Sequence, residues 1–300
     1  MQLKMLTALQ LVEKTMACFL HKMLVWFILC FCYFASILIG TGIGLMFDLH
    51  SGIITQIGTV IGLIACGYFA HKLRGSTLVP ERISHVRVLV EQMQQEPVFE
   101  GKLQRQKQQE TVTDYFGDIF KLAQLERSIR GVLQDIFVER IQTQRFAFNN
   151  KSIKFALDTL VGILVAFIAE VILAFYIKNR STESPGATCK LALTLFTQQL
   201  DNLIKSIWAL NIFMYTGFFI CYAILLYPII WATDILPVSV GIWNHVLALI
   251  FAWGIKAVFM ESIAVAALIP VFFDNVKDQK ANAKTTEHLM QLSKAYQQLG

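Results

Sequence analysis

The chain has 300 residues, 55% of them hydrophobic and 16% charged, whereas soluble domains average roughly a quarter charged residues and about 45–50% apolar ones. Its net charge of +5, from 26 Lys+Arg against 21 Asp+Glu, is concentrated outside the apolar runs, where basic residues mark membrane topology rather than a nucleic-acid surface. This balance excludes an ordinary soluble enzyme, a secreted disulfide scaffold and a disordered chain, and it points to an all-α, polytopic helical bundle in lipid.

Residues 1–22 place Leu3, Leu6, Leu9, Val12, Met16 and Phe19 near helical spacing, with Lys4, Glu13 and Lys14 between them. That pattern predicts an amphipathic helix lying at the membrane interface. A transmembrane hairpin follows over 23–71, with spans near Met23–Phe47 and Ile53–His71 and the polar turn Asp48–Gly52 between them. Each span is close to the ~20 residues that cross a ~30 Å hydrocarbon core. Gly40 and Gly44 in the first span, and Gly58 and Gly62 in the second, are four residues apart. Small residues at that spacing share one helix face and let two backbones approach, so the two spans are expected to pack tightly.

Residues 72–154 form the substantial soluble region, a cytoplasmic helical domain. After Pro80, the residues Ile83, Val86, Val90 and Met93 recur at helical spacing; a polar stretch over 94–109 interrupts them. A second stripe then runs from Tyr115 through Leu122, Ile129, Val132 and Ile136 to Ile141, with Lys121, Glu126, Arg130, Asp135 and Glu139 on the opposite face. The expectation is a helical hairpin that packs on itself, on a second copy or on the membrane surface. Strand-like alternation and a Gly-rich phosphate loop are both missing, which argues against a nucleotide-binding domain.

Residues 155–273 read as a C-terminal transmembrane bundle. It starts with a third span near Phe155–Ile177, then an outside loop over 178–206 that leads into an amphipathic stretch, then a fourth span near Ile207–Trp231. The last apolar stretch, Val238–Phe273, covers about 36 residues, or ~54 Å as one helix. It is either one protruding span or two short segments broken near Gly254, giving five or six membrane segments in all. An amphipathic tail, 274–300, closes the chain.

Charge sets the expected topology. Segment 72–154 holds fourteen Lys+Arg, while the Asp48–Gly52 turn holds none, so the N-terminus and the middle domain fall on the cytoplasmic side of a cell membrane. Lys277, Lys280, Lys284 and Lys294 of the tail favour the broken arrangement, which returns the tail to that side.

The candidate polar site is intramembrane: Glu170, His245, Lys256 and Glu261. A charge at mid-bilayer costs on the order of 3 kcal/mol on insertion scales, and such groups are usually paired and often functional. On the expected topology Glu170 and Lys256 come within reach of each other. They read either as part of a solute or proton pathway beside an irregular helix or as a structural clasp with a snorkelling lysine. The six cysteines form no CxxC or Cys/His cluster, so no metal site and no cofactor is expected. The five tryptophans fall mostly near span ends, as interfacial anchors do.

Two resemblances add to this. Two spans, a cytoplasmic helical domain and further spans form a layout that resembles flagellar-stator and related proton-driven motor proteins; the small and polar pore residues of their later spans have no counterpart here. The final run LIFAWGIKAVFMESIAVAALIPVFFDN, with its Lys-rich tail, resembles the last span of choline-transporter-like proteins and of uncharacterised polytopic bacterial membrane proteins. That resemblance implies transport.

The first functional expectation is therefore a transporter- or channel-like protein that moves a small solute or ion. The alternative is a non-catalytic scaffold or subunit of a membrane complex, docking a partner or second protomer through the stripe that contains Ile129 and Ile136. Membrane lipids are the expected partners in either case, and nucleic acid is not. No catalytic constellation is visible.

Overall fold

The computed structural model describes residues 5–47, 53–73, 79–94, 110, 112–143, 161–162, 165–179, 184–234 and 241–299. Among them every regular element is a helix. The main ones are α1 (Met5–Lys14), α2 (Met16–Phe47), α3 (Ile53–Leu73), α4 (Val79–Met93), α5 (Ile119–Thr143), α6 (Ile168–Lys178), α7 (Pro185–Gln198) and α8 (Leu200–Asp234). They are followed by α9 (Trp243–Ile255), a π-helical turn (Lys256–Met260), α10 (Glu261–Val276), α11 (Ala283–Leu292) and α12 (Lys294–Gln297). Among the described residues three helices are long and apolar enough to cross a membrane: Phe19–Ile43, Leu200–Asp234 and Trp243–Val276. Gln56–Ala70 is a shorter apolar helix.

The chain divides into two compact units. The first is assembled from three separated segments, Met1–Cys18, Val79–Asn211 and Ser262–Gly300; the second comprises Phe19–Leu78 and Ile212–Glu261.

In the first unit α6 is the centre, packed against α4, α5 and α7. Ile168, Val171, Ile172 and Leu173 are fully buried, as are Ala169 and Ala174 between them. A helix that is apolar on all sides has to be enclosed by lipid or by protein, and protein encloses this one. Burial inside a helical bundle thus accounts for the hydrophobicity over Val165–Ile177 that the sequence reading assigned to a third span; residues 155–160 of that span lie outside the described residues. Phe272 of α10 stacks near Phe175 and Phe196, with centroids 5.9 and 6.1 Å away.

Local signals explain where these helices begin. Ser184 caps α7 by accepting from the Ala187 N–H at 3.2 Å, with Pro185 at the first helical position. Asn282 caps α11 and Ser293 caps α12 in the same way. The amphipathic tail closes the unit: α11 lies against α7 and α12 against α5, and the Tyr296 hydroxyl is 2.7 Å from Thr194 Oγ1. At the other end of the chain, Thr15 terminates α1 and lies buried 3.1 Å from His85 Nε2 of α4. The N-terminal helix therefore packs on α4 with Ala8 and Val12 buried, while Leu9 stays exposed.

Cys189 of α7 is fully buried, and burial pushes its thiol up to about 12. The thiolate is the reactive form. At pH 8 the folded chain is therefore expected to leave Cys189 unalkylated, with labelling appearing only after denaturation. Peptide mass spectrometry reads the difference, and native labelling at the rate of a free thiol would contradict it.

The second unit is held by close backbone approaches. A Cβ built on Gly40 would lie 2.8 Å from the Gly58 carbonyl carbon and nearer still to its oxygen. One built on Gly62 would lie 3.2 Å from the Ser36 carbonyl carbon and again nearer to the oxygen. Thr41 and Thr59 hydroxyls add a hydrogen bond at 2.8 Å. These contacts bring α2 and α3 together where an apolar solvent supplies no hydrophobic drive. The surroundings of Gly44 lie outside the described residues. The outward faces carry large apolar side chains, among them Phe27, Phe31, Ile61, Ile64, Ile212 and Ile224, all exposed. Such a surface suits lipid and would aggregate in water.

Gly254 does not break the last apolar stretch. The helix passes through it, and its missing side chain admits Cys30 Sγ to 2.9 Å of where a Cβ would stand. Irregularity comes two residues later, as the π-turn Lys256–Met260.

Candidate functional site

The second unit places a lysine where water is scarce. Lys256 opens the π-turn at 4% exposure, and its Nζ donates to Glu261 Oε1 at 2.8 Å. In an α-helix, residues five apart point about 140° away from each other at 100° per residue. A π-turn winds at roughly 4.4 residues per turn, which brings the same two positions to within about 50°. The π-turn is therefore what lets the pair close. Two rings complete the surroundings of the ammonium: Trp253 at 4.7 Å and Tyr215 of α8 at 4.9 Å, both within cation–π range.

The neighbouring helix is shaped to this irregular turn. A Cβ on Gly217 would stand 2.8 Å from Met260 Cε, so the glycine leaves room for the methionine that ends the turn. Phe259 meets Phe19 edge-on at 4.6 Å. π-turns inside α-helices are rare and concentrate at functional sites. This one carries an opposite-charge pair in which Lys256 is buried and Glu261 partly buried.

Removing one member of such a pair leaves the other buried and uncompensated, at about 3–5 kcal/mol, while removing both is close to neutral. Lys256→Met is accordingly expected to destabilise the second unit by about 3 kcal/mol, and Lys256→Met with Glu261→Leu to restore most of it. Denaturant titration in detergent measures both; equal stability of the single and double variants would contradict the pairing.

His245 sits near the start of α9 with Nδ1 2.8 Å from the Tyr222 hydroxyl of α8. Beside it, Asn244 is buried with Oδ1 2.8 Å from Thr233 Oγ1. His245 thus joins a polar seam between α8 and α9, and the structure assigns it no contact with the Lys256 pair.

Glu170 belongs to a different cluster, within the first unit. It is 5% exposed at the start of α6, and the Arg82 guanidinium of α4 lies 3.8 Å from its carboxylate. Arg82 also lies 3.8 Å from Glu126 of α5, which Arg130 contacts at 2.5 Å. These charges tie α4, α5 and α6 together at a buried junction, and excellent geometry is what such a junction needs to offset desolvation. Glu126 was expected on a solvated face; α4 and α6 cover it.

Ile129 and Ile136, the expected partner-docking residues, are 0% and 3% exposed. Their stripe faces the interior of the first unit, so the chain itself fills the face that the sequence offered to a partner.

Sequence reasoning missed Tyr215 and Arg82, and it took Trp253 for an interfacial anchor. The five-residue spacing of Lys256 and Glu261 was the one available hint of the π-turn. Among the described residues no group of His, Cys, Asp and Glu has an arrangement able to hold a metal ion. No protein-family model, curated protein or solved structure matches this chain.

Proposed function

We propose that this chain is a transporter-like membrane protein that crosses the bilayer four times and uses the Lys256–Glu261 pair to gate passage of a small ion. The four crossings are α2, α3, the part of α8 from Ile212, and residues 243–261. Nineteen helical residues from 243 to 261 span about 28 Å, which matches the hydrocarbon core.

Charge supports this count. All Lys and Arg residues except Lys22, Lys72, Arg74 and Lys256 lie in 1–18, 79–211 and 262–300. The connections 48–52 and 235–242 contain neither residue type. Four crossings would put every basic segment on the cytoplasmic side and both connections that lack Lys and Arg outside, as the positive-inside rule requires. Lys22 and Lys72 then mark cytoplasmic ends of their helices. The loop around α7 and the tail also become cytoplasmic, which removes the conflict that a break at Gly254 had been needed to resolve.

The observation that carries the transport reading is the buried Lys256 paired with Glu261 on a π-turn. An ionisable group in a membrane helix is a functional candidate by default, and irregular backbone at membrane depth is tolerated where it is buried or lines a cavity. A small anion competing for Lys256, or a cation competing for Glu261, opens the pair. The site suits an ion or proton rather than a neutral solute.

The test is flux through the purified chain in liposomes, read with proton-, cation- and anion-sensitive dyes. Wild type is expected to pass one of these ions, Lys256→Gln to change its flux at least tenfold, and the exchange Lys256→Glu with Glu261→Lys to fold without restoring it. Wild-type liposomes as tight as empty ones would overturn the proposal. A second reading, a membrane-anchored helical scaffold, is favoured by the complete ring of partners around Lys256; it predicts no flux and an exchange variant as stable as wild type.

A further inference from the structure

We infer that the first unit contains a binding site for an anionic amphiphile, a single apolar chain bearing a carboxylate or phosphate head. A cavity of about 460 Å³ opens where α6 and α10 end beside α7, a volume within the ~300–1,000 Å³ of small-molecule sites. Lys178, Lys277 and Lys280 line it, and none of its described lining residues is a carboxylate. Phe175, Leu195 and Phe273 supply an apolar wall. Lys178 Nζ lies 4.1 Å from the Phe273 ring centroid, so positive charge and apolar surface meet at one edge of the cavity.

Helix ends account for only part of this charge. Each helix C-terminus carries the equivalent of about −0.5 charge, which a lysine balances. Lys178 in the last turn of α6 and Lys277 just after α10 have that account. Lys280 lies beyond both helices. Among the lining residues, three positive charges against about one negative equivalent leave a net attraction for an anion; the exposed Asp274 and Asp278 nearby in the chain are not part of the lining. Inorganic phosphate would satisfy the lysines and leave the aromatic wall uncovered; a cationic amphiphile would do the reverse. A molecule with an anionic head and an alkyl body satisfies both.

The experiment uses the full chain in nanodiscs of zwitterionic phospholipid, photolabelled with a diazirine-bearing C12 alkyl phosphate and mapped by peptide mass spectrometry. Labelling is expected to be saturable and to fall on peptides containing Leu195 and Phe273. Dodecyl phosphate should compete for it, whereas inorganic phosphate and dodecyltrimethylammonium should not. The triple variant Lys178→Glu, Lys277→Glu, Lys280→Glu is expected to label at least tenfold less. All three side chains are exposed, so the variant is expected to fold, melting slightly below wild type because two of the new carboxylates sit at helix C-termini; a variant that fails to fold is replaced by Leu195→Trp, which fills the cavity from the apolar side. Equal labelling of wild type and variant overturns the site. So does equal competition by inorganic phosphate or by the cationic amphiphile. Loss of labelling in nanodiscs of anionic phospholipid identifies a bilayer lipid as the occupant and overturns the free amphiphile.

Discussion

Gly40→Leu is expected to part α2 from α3 and cost the second unit about 3 kcal/mol or more. Typical overpacking in a core costs about 1–3 kcal/mol because flexible side chains can yield. At Gly40 the obstacle is the Gly58 peptide, whose carbonyl carbon stands 2.8 Å from the new Cβ, with Thr59 Cα at 3.0 Å. Backbone inside a helix has no rotamer to adopt, so the helices themselves must move, and the Thr41–Thr59 hydrogen bond goes with them. Gly62→Leu meets the Ser36 peptide and is expected to act alike. Gly42 provides the control, because a Cβ there finds nothing within 4 Å. Disulfide trapping between cysteines placed at Thr41 and Thr59, with melting in detergent, measures the effect. Gly40→Leu as stable as Gly42→Leu would refute the close approach.

Ile129→Asp should abolish the first unit. The residue is completely buried on α5, where a carboxylate finds no water and an isoleucine's packing is lost with it. Burying an unpaired charge together with a lost core side chain exceeds 4 kcal/mol, among the most severe single-residue effects. Ile136→Asp is expected to behave the same way. Phe120, the second residue of α5 at 81% exposure, is the matched control and should tolerate aspartate. Hydrogen exchange over α4–α7 reads the outcome. Retained protection in Ile129→Asp would mean that the stripe is not core. The result also bears on the scaffold reading, since a partner lost with this variant is lost to unfolding.

What could be read from the sequence depended on how local the cause was. The approach of α2 and α3 was legible because Gly40, Gly58 and Gly62 announce it through spacing along single helices. The stripe through Ile129 and Ile136 was legible as a buried face, but periodicity is silent about what covers it. The same limit explains α6. A run such as Ile168–Ile177 has identical hydropathy whether lipid or α4, α5 and α7 surround it, and only those distant faces decide. Glu126 and Arg130 look like an ordinary solvated pair four residues apart until Arg82 arrives from α4. The π-turn has no propensity signature, because it answers to packing around Met260 and Gly217 rather than to residue type. His245 and Lys256 were grouped as neighbours because both are polar in one apolar stretch, yet each found its own partner on α8 or within its own turn.

The first unit draws its core from three stretches separated by the apolar helices of the second. During synthesis, residues 79–211 leave the ribosome long before Phe272, Leu289 and Tyr296, which complete that core. The half-built bundle must therefore wait, with apolar surface uncovered, while residues 212–261 are made. Only then can the last forty residues close it. On the proposed four-crossing reading, insertion and folding are coupled in time, so a defect in delivering the last helices would be felt first as degradation of the half-built first unit.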